Sequence, residues 1–370
     1  MRSWSLRLGR FFGIDVFVHW TFWILIAWVL LLHFRGSGAA EAAVGVAFVL
    51  ALFVCVVIHE FGHALTARRF GIVTRDITLY PIGGIASFEG MPERPGQEFL
   101  VAIVGPMVNL VIAALLYLLL AAAGRLPSLD ALDNADTITQ LPFLYSLLLA
   151  NVMLAVFNLV PAFPMDGGRA LRALLSFRMD KVTATRIAAG LGQMLAIIFV
   201  FLGFFSNFWL VFIGLFIFIG AGSEVAYARV QSALAGLTVS DAIMHRFTIL
   251  DPNSTLGEAA DALINGQDTA FVIADEERLV GLLTKDEIIR GLAEAGSQGA
   301  AAKYAASVVQ TVDARTPLTE FFQQSMQAER QVAVVMDAGQ PVGLIDKQNV
   351  EERLLIQEAL RKRSLELGTN

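Results

Sequence analysis

The sequence predicts an all-α membrane bundle of six helices with a small re-entrant β-hairpin, followed by a soluble α/β region made of two copies of one unit. Three observations carry this. Hydrophobic residues make up 56% of the chain and charged residues only 16%, where a soluble domain is nearer about one-quarter charged. The long apolar runs stop near residue 228, and the remainder of the chain has ordinary soluble chemistry. From Thr238 onward the chain matches itself without gaps at an offset of 62 residues, Asp251 falling on Asp313 and Leu256 on Leu318.

Runs of about 20 apolar residues, the length that crosses the hydrocarbon core, fall at 16–33, 43–66, 98–123, 141–160, 187–205 and 207–227. Arg2, Arg7, Arg10, Arg68, Arg69, Arg75, Arg94, Arg169, Arg172, Arg178, Lys181 and Arg186 lie on one side of these runs, against Arg35 and Arg125 on the other. The positive side is cytoplasmic. Both termini and the soluble region are then inside, in a multi-pass protein expected in a prokaryotic cell membrane. The 124–140 loop, carrying Asp130, Asp133 and Asp136, is outside.

Residues 74–89, TRDITLYPIGGIASFE, alternate in character around Pro81 and Gly83-Gly84, the pattern of a hairpin. Irregular backbone at membrane depth survives only where protein or a water-filled cavity satisfies it. The hairpin should therefore line a cavity, where it could take an extended substrate by strand addition, a reading that substitutions at Ile82 and Ile85 test. The N-terminal SLRLGR and IDVFVHW segments fit either further strands or an amphipathic lead-in to the first span.

Several classes are excluded. A net charge of −6 with no block of Lys and Arg argues against nucleic acid as a partner. The single cysteine, Cys55, cannot form an internal disulfide. The first apolar stretch runs into a full span without a small-residue cleavage site, unlike a cleaved signal peptide.

The second span contains His59-Glu60-Phe61-Gly62-His63, an HExxH motif on an apolar helix. Residues four apart share a helical face, so both imidazoles can meet one ion while Glu60 lies beside it. An ionisable Glu at this depth costs roughly 2.5–3.5 kcal/mol on insertion and is functional by default. His59 lies nine residues before Arg68, about 14 Å inside the cytoplasmic boundary at about 1.5 Å per residue. A catalytic zinc takes three protein ligands and leaves one position open. Asp166 is the best third ligand: Pro161 and Pro164 break the fourth helix and the next glycines allow close backbone approach. A carboxylate capping the next helix is the alternative for Asp166. Asn158 is a polar group that needs a partner inside the bilayer. Asn109, in Gly105-Pro106-Met107-Val108-Asn109, fits an interhelical hydrogen bond. Cys55 shares the face of His59 and reads as a small hydrophobe, and His19 beside Trp20 reads as an interfacial anchor.

HEFGH at 59–63, NLVPAFPMDGGR at 158–169 and PIGG at 81–84 together resemble the site-2 protease family of intramembrane metalloproteases. The resemblance covers residues 1–228. It implies one catalytic Zn2+ held by His59, His63 and Asp166, with Glu60 as the general base and Asn158 helping to hold the oxyanion or substrate carbonyl. It also implies hydrolysis of peptide bonds within or near transmembrane segments of membrane-tethered substrates. Two other classes compete: a non-proteolytic membrane sensor or transporter with a metal site, and a membrane protease with a glutamate as third ligand, for which spans three to five offer no suitable residue.

After a linker at 229–237, the repeat gives units at 238–295 and 305–360, then a charged tail at 361–370. Ala270–Asp275 matches Val332–Asp337, and Gly281-Leu-Leu matches Gly343-Leu-Ile. Each unit reads as helix, strand, turn, strand and closing helix. The pair resembles tandem cystathionine-β-synthase (CBS) domains, which implies binding of ATP, ADP or AMP, or pairing into a homo-oligomer. The family's ribose-contacting pattern is present as Gly281, Thr284 and Asp286. The second unit has Asp346 and Gln348 at the matching positions, so one nucleotide site is expected rather than two.

Overall fold

The computed structural model describes residues 4–36, 38–81, 83–88, 90, 92, 94–126, 142–266, 270–275, 278–306, 309–325 and 332–367. Ile82 and the expected acidic loop with Asp130, Asp133 and Asp136 lie outside the described residues. Two compact units result, Met1–Arg229 and Val230–Asn370.

The first unit opens with strands β1 (Ser5–Phe11) and β2 (Ile14–His19). Ile14, Val16 and Val18 point inward and alternate with Asp15, Phe17 and His19. This two-residue period with β-branched side chains settles the N-terminal segment as strands. It also delays the first apolar helix, α1, to Thr21–Gly36. Helix α2 (Ala39–Arg69) comes next, then the hairpin of β3 (Thr74–Tyr80) and β4 (Gly83–Phe88). The four strands form one sheet in the order β1-β2-β3-β4, with β2 and β3 parallel and the other pairs antiparallel. Its apolar face lies along α2. Ile14, Val16 and Ile77 pack on Phe61 and Ala64, while Val18 and Leu79 pack on Phe53.

The remaining helices are α3 (Pro95–Ala122), α4 (Phe143–Leu159), α5 (Asp166–Leu175), α6 (Lys181–Phe205) and α7 (Trp209–Leu234). Pro95 starts α3, where a missing N–H costs nothing. Asp180 caps α6 by accepting the Thr183 N–H at 2.8 Å. That bond holds the Asp180 carboxyl below its ordinary pKa. Among the described residues, α2, α3, α6 and α7 are long and apolar enough to cross a membrane. α1 and α4 are shorter apolar helices at the places of two further predicted spans.

Side chains are sorted as in a membrane protein. Phe201, Phe204, Phe205, Phe212 and Phe216 face outward, whereas Ala184, Ala188, Ala189, Ala196 and Ala221 are buried. Lipid tails are as apolar as leucine, so helices gain by close backbone approach at small residues. The segment between α4 and α5 uses this. Phe163, fully buried, packs with Ala188, Ala189 and Ala221, and a side chain at Gly192 of α6 would meet the Phe163 carbonyl.

The second unit shows the repeat in three dimensions. β5 (Ile249–Leu250), α8 (Leu256–Asn265), β6 (Ala270–Asp275), β7 (Arg278–Thr284) and α9 (Lys285–Ala295) form the first copy, and a short helix α10 (Ala301–Tyr304) comes after it. The second copy is β8 (Thr311–Asp313), α11 (Leu318–Ser325), β9 (Val332–Asp337), β10 (Gln340–Asp346) and α12 (Lys347–Leu367). β6 and β9, β7 and β10, and the starts of α9 and α12 are each offset by 62 residues, from 270 to 332, 278 to 340 and 285 to 347. Each copy holds a three-stranded sheet with its own core. Ala270, Val272 and Leu282 of the first pack with Val334 and Leu344 of the second. Most of the expected linker at 229–237 is helical, because α7 continues to Leu234, whose side chain is buried in the core of the second copy. α12 likewise runs on to Leu367, through most of the expected tail.

Candidate metal centre

His59 and His63 stand one turn apart on α2, both buried, and Asp166 is the first residue of α5. Their donor atoms converge. His59 Nε2 lies 3.1 Å from His63 Nε2, and Asp166 Oδ2 lies 3.2 Å from His63 Nε2 and 3.3 Å from His59 Nε2. Tetrahedral zinc with bonds of about 2.0–2.1 Å separates its ligand atoms by about 3.3 Å. The triangle therefore fits one zinc ion, and it is the one such donor cluster among the described residues.

The far nitrogens of both rings are also engaged. His59 Nδ1 donates to Asn109 Oδ1 at 2.9 Å and His63 Nδ1 donates to the Val101 carbonyl at 2.7 Å, both acceptors being on α3. A proton held on Nδ1 leaves the Nε2 lone pair for a metal. Asn109 is fully buried, and the interhelical hydrogen bond expected of it is made to His59. The amide oxygen faces the ring, and the amide nitrogen, Nδ2, is buried with no partner. Gly105 lies one turn earlier on α3, and a Cβ there would collide with His63 Nε2 and His59 Cε1.

Asp166 is the first residue inside α5, one past the N-cap position, which Met165 occupies. The Asp166 carboxylate turns to the imidazoles. The chain reaches it through Val160, Pro161, Ala162, Phe163, Pro164 and Met165, with the Phe163-Pro164 bond cis. Gly168 lets α5 lie against this segment, since a Cβ there would sit 2.5 Å from the Phe163 nitrogen. Glu60 is packed by the hairpin: a Cβ at Gly84 of β4 would approach Glu60 Cγ to 2.7 Å. Asn158 is half-buried in the last turn of α4, outside the hydrogen bonds that orient the two rings.

Other flagged residues fall elsewhere. Cys55 is buried on α2 and does not join the donor cluster. His19 ends β2, with Nδ1 2.7 Å from Thr21 Oγ1 and its ring 4.9 Å from that of Tyr80. Thr284 donates through both its N–H and its hydroxyl to Glu287 at the start of α9, and Asp286 is exposed beside it. At the equivalent place in the second copy, Asp346 and Asn349 cap each other.

Sequence reasoning missed a buried ion cluster. Arg172 of α5, 2% exposed, donates to Glu98 of α3 at 2.6 Å and to Glu224 of α7 at 3.3 Å. The available signal was the ionisable side chains inside or beside apolar runs, which are expensive there unless paired. By charge pattern alone Arg172 reads only as one of the cytoplasmic cations.

An apolar helix bundle that buries two imidazoles and a carboxylate around one point defines the class of membrane metallohydrolases. Residues 47–202 match Peptidase family M50, and residues 239–294 match the CBS domain. Among curated proteins, zinc metalloprotease MJ0392 of Methanocaldococcus jannaschii is 29% identical over 357 residues, which is 96% of this chain and 98% of that protein. The Synechocystis sp. protein sll0528, provisionally named a zinc metalloprotease, is 30% identical over 370 residues, or 94% of each. The solved site-2 protease from Methanocaldococcus jannaschii is 36% identical and covers 60% of this chain and 95% of its own, with a TM-score of 0.45. The chain belongs to peptidase family M50, the site-2 proteases, and carries a CBS region.

If Asn109 orients His59, Asn109→Leu should weaken zinc binding by roughly 10–100-fold, the usual effect of losing such a partner. Asn109→Asp, which keeps an acceptor, should hold the metal. Chelator competition on the two purified variants measures this, and equal affinities would show that Asn109 acts through packing alone.

Proposed function

We propose that this chain hydrolyses peptide bonds within the bilayer, in or near transmembrane segments of membrane-tethered proteins, with His59, His63 and Asp166 as the zinc ligands and Glu60 as the general acid and base. The donor triangle, two of whose members stand on a 31-residue apolar helix, carries this proposal. His59, nine residues before Arg68, lies about 14 Å inside the basic end of that helix.

A zinc ion in this ligand set supplies Lewis acidity, lowering the pKa of water toward ~7 and polarising a carbonyl. The protein supplies the rest. Asn109 and Val101 keep both rings in the tautomer that offers Nε2. Glu60 takes a proton from the attacking water and passes it to the leaving amine, completing hydrolysis. Asn158, at the end of α4 where the chain turns toward Asp166, is assigned to the substrate carbonyl.

The four-stranded sheet supports a re-entrant reading, because its strands pack along α2 from Ala64 to Phe53, on both sides of His59 in the chain. β4 pairs with β3 alone among the described strands and touches Glu60 through Gly84. Its free edge suits strand addition by an unwound substrate, because a helical substrate hides its amides in its own hydrogen bonds. α1 and α4 supply the remaining crossings of a six-span domain with both termini cytoplasmic. In the second unit, Thr284 and Asp286, together at the start of α9, are assigned to the ribose of one adenine nucleotide, as a regulator of cleavage.

Glu60→Gln should retain zinc and lose cleavage of a membrane-tethered substrate by at least about 100-fold; retained cleavage would remove Glu60 from the chemistry. Ile85 is 53% exposed on β4. Ile85→Thr should slow cleavage of a helical transmembrane substrate while sparing an already extended peptide, and equal effects on both would argue against strand addition. Titrating ATP, ADP or AMP into the full chain in nanodiscs should change the cleavage rate, with the change lost in Asp286→Ala. No binding and an unaltered rate would leave the CBS pair a purely structural module.

A further inference from the structure

The charged side chains around α5 form an alternating chain. Lys181 Nζ lies 3.8 Å from Glu98 Oε2, Arg172 bridges Glu98 and Glu224 at 2.6 and 3.3 Å, and Arg169 Nη2 stands 3.9 Å from Glu224 Oε1. Three cations face two carboxylates in this chain, and Arg169 also lies near the carboxylates of Asp166 and Glu60. The bond lengths tell the three cations apart. Arg172 is fully engaged, while Lys181 and Arg169 are 43% and 35% exposed and can both meet water. Arg169 is left under-bonded: 3.9 Å is beyond hydrogen-bond reach, and its Nε is buried with no partner. Nε and Nη2 form the edge of a guanidinium that a carboxylate bridges with two parallel bonds. That edge is open here.

Arg169 and His63 line one cavity of about 40 Å³, together with Val101, Phe88, Glu98 and Arg172. At roughly 10–15 Å³ per water centre, it has room for about three waters, comparable to a carboxylate and one water. Hydrolysis produces such a group. The water oxygen bonds to the carbonyl carbon, the C–N bond breaks, and the acid proton passes to the amine, leaving a carboxylate and an ammonium. The new anion arises beside His63, inside an apolar bundle where a charge without a partner is costly.

We propose that Arg169, with the cavity it shares with His63, is a receiving site for the newly formed C-terminal carboxylate of the product. The proposal rests on the proteolytic function assigned to this chain and adds a ligand class, an apolar peptide ending in a free carboxylate. Arg169 then draws the product anion away from the ligand triangle and frees it for the next substrate, while Arg172, Glu98 and Glu224 hold α5 in place.

The test uses the full chain in nanodiscs and an N-acetylated Leu-Val-Ala tripeptide as its free acid and as its amide. Binding is measured with zinc present and after removal by chelator, and cleavage of a membrane-tethered substrate is monitored on the same preparation. The acid should bind roughly tenfold tighter than the amide, a charge-assisted bidentate pair's worth of discrimination. Most of the preference should survive zinc removal. Arg169→Gln should abolish it in the zinc-free protein, and Arg169→Lys, which keeps the charge without the fork, should retain only part. A preference that vanishes with the metal, or persists unchanged in Arg169→Gln, overturns the proposal by assigning the carboxylate to zinc or to another group. Equal binding of acid and amide by the wild type overturns it without recourse to a variant. Failure of the wild type to cleave, with zinc bound, would instead count against the proteolytic function.

Discussion

The first unit depends on one meeting: a carboxylate from the end of a broken helix must reach two imidazoles on an unbroken one, inside an apolar bundle. α2 can present His59 and His63 by periodicity alone, but a third donor on the same helix could not close the triangle. Asp166 comes from another element, and its approach sets what the neighbours can be. Gly105, Gly168 and Gly192 stand where any side chain would strike the two imidazoles or the backbone leading to Asp166. The alanines lining the segment around Phe163 serve the same need. Small residues that favour helix association in lipid here also shape a site.

Charge organises the second layer. A fully buried arginine between two carboxylates is expensive to desolvate and adds little to stability by itself. Its geometry ties α3, α5 and α7 together on the helix that begins at Asp166. The same chain of charges ends at an arginine whose guanidinium edge is uncommitted and faces the cavity at His63. Within one cluster, Arg172 holds Glu224 at 3.3 Å while Arg169 stands off it at 3.9 Å.

Much of this was legible in the residues. The two histidines and Glu60 follow from helix periodicity and the cost of ionisable groups in lipid, and Asp166 from prolines that end a helix near the right depth. The hairpin was visible in its alternation around Pro81 and the glycines. What stayed hidden depended on partners distant in sequence. Asn109 carried a hydrogen-bonding role that could have been satisfied by any facing helix, and only α2 packed against α3 shows that its partner is His59. Arg172 looked like one more positive charge on the cytoplasmic side because its two carboxylates are 74 and 52 residues away. Strand and lead-in helix were equal for residues 5–19 until pairing with β3 decided between them.

The sequence by itself determined the division into an apolar and a soluble unit, the 62-residue repeat, and the residue types of the donor cluster, because these rest on local composition, periodicity and residue type. The tertiary structure decided the hydrogen-bond partners of the two imidazoles, the edge position of β4 beside Glu60, the approach of Asp166 to His59 and His63, and the open face of Arg169. Each of these is a relation between elements, set by which backbones can approach closely enough to bring polar atoms within hydrogen-bond reach.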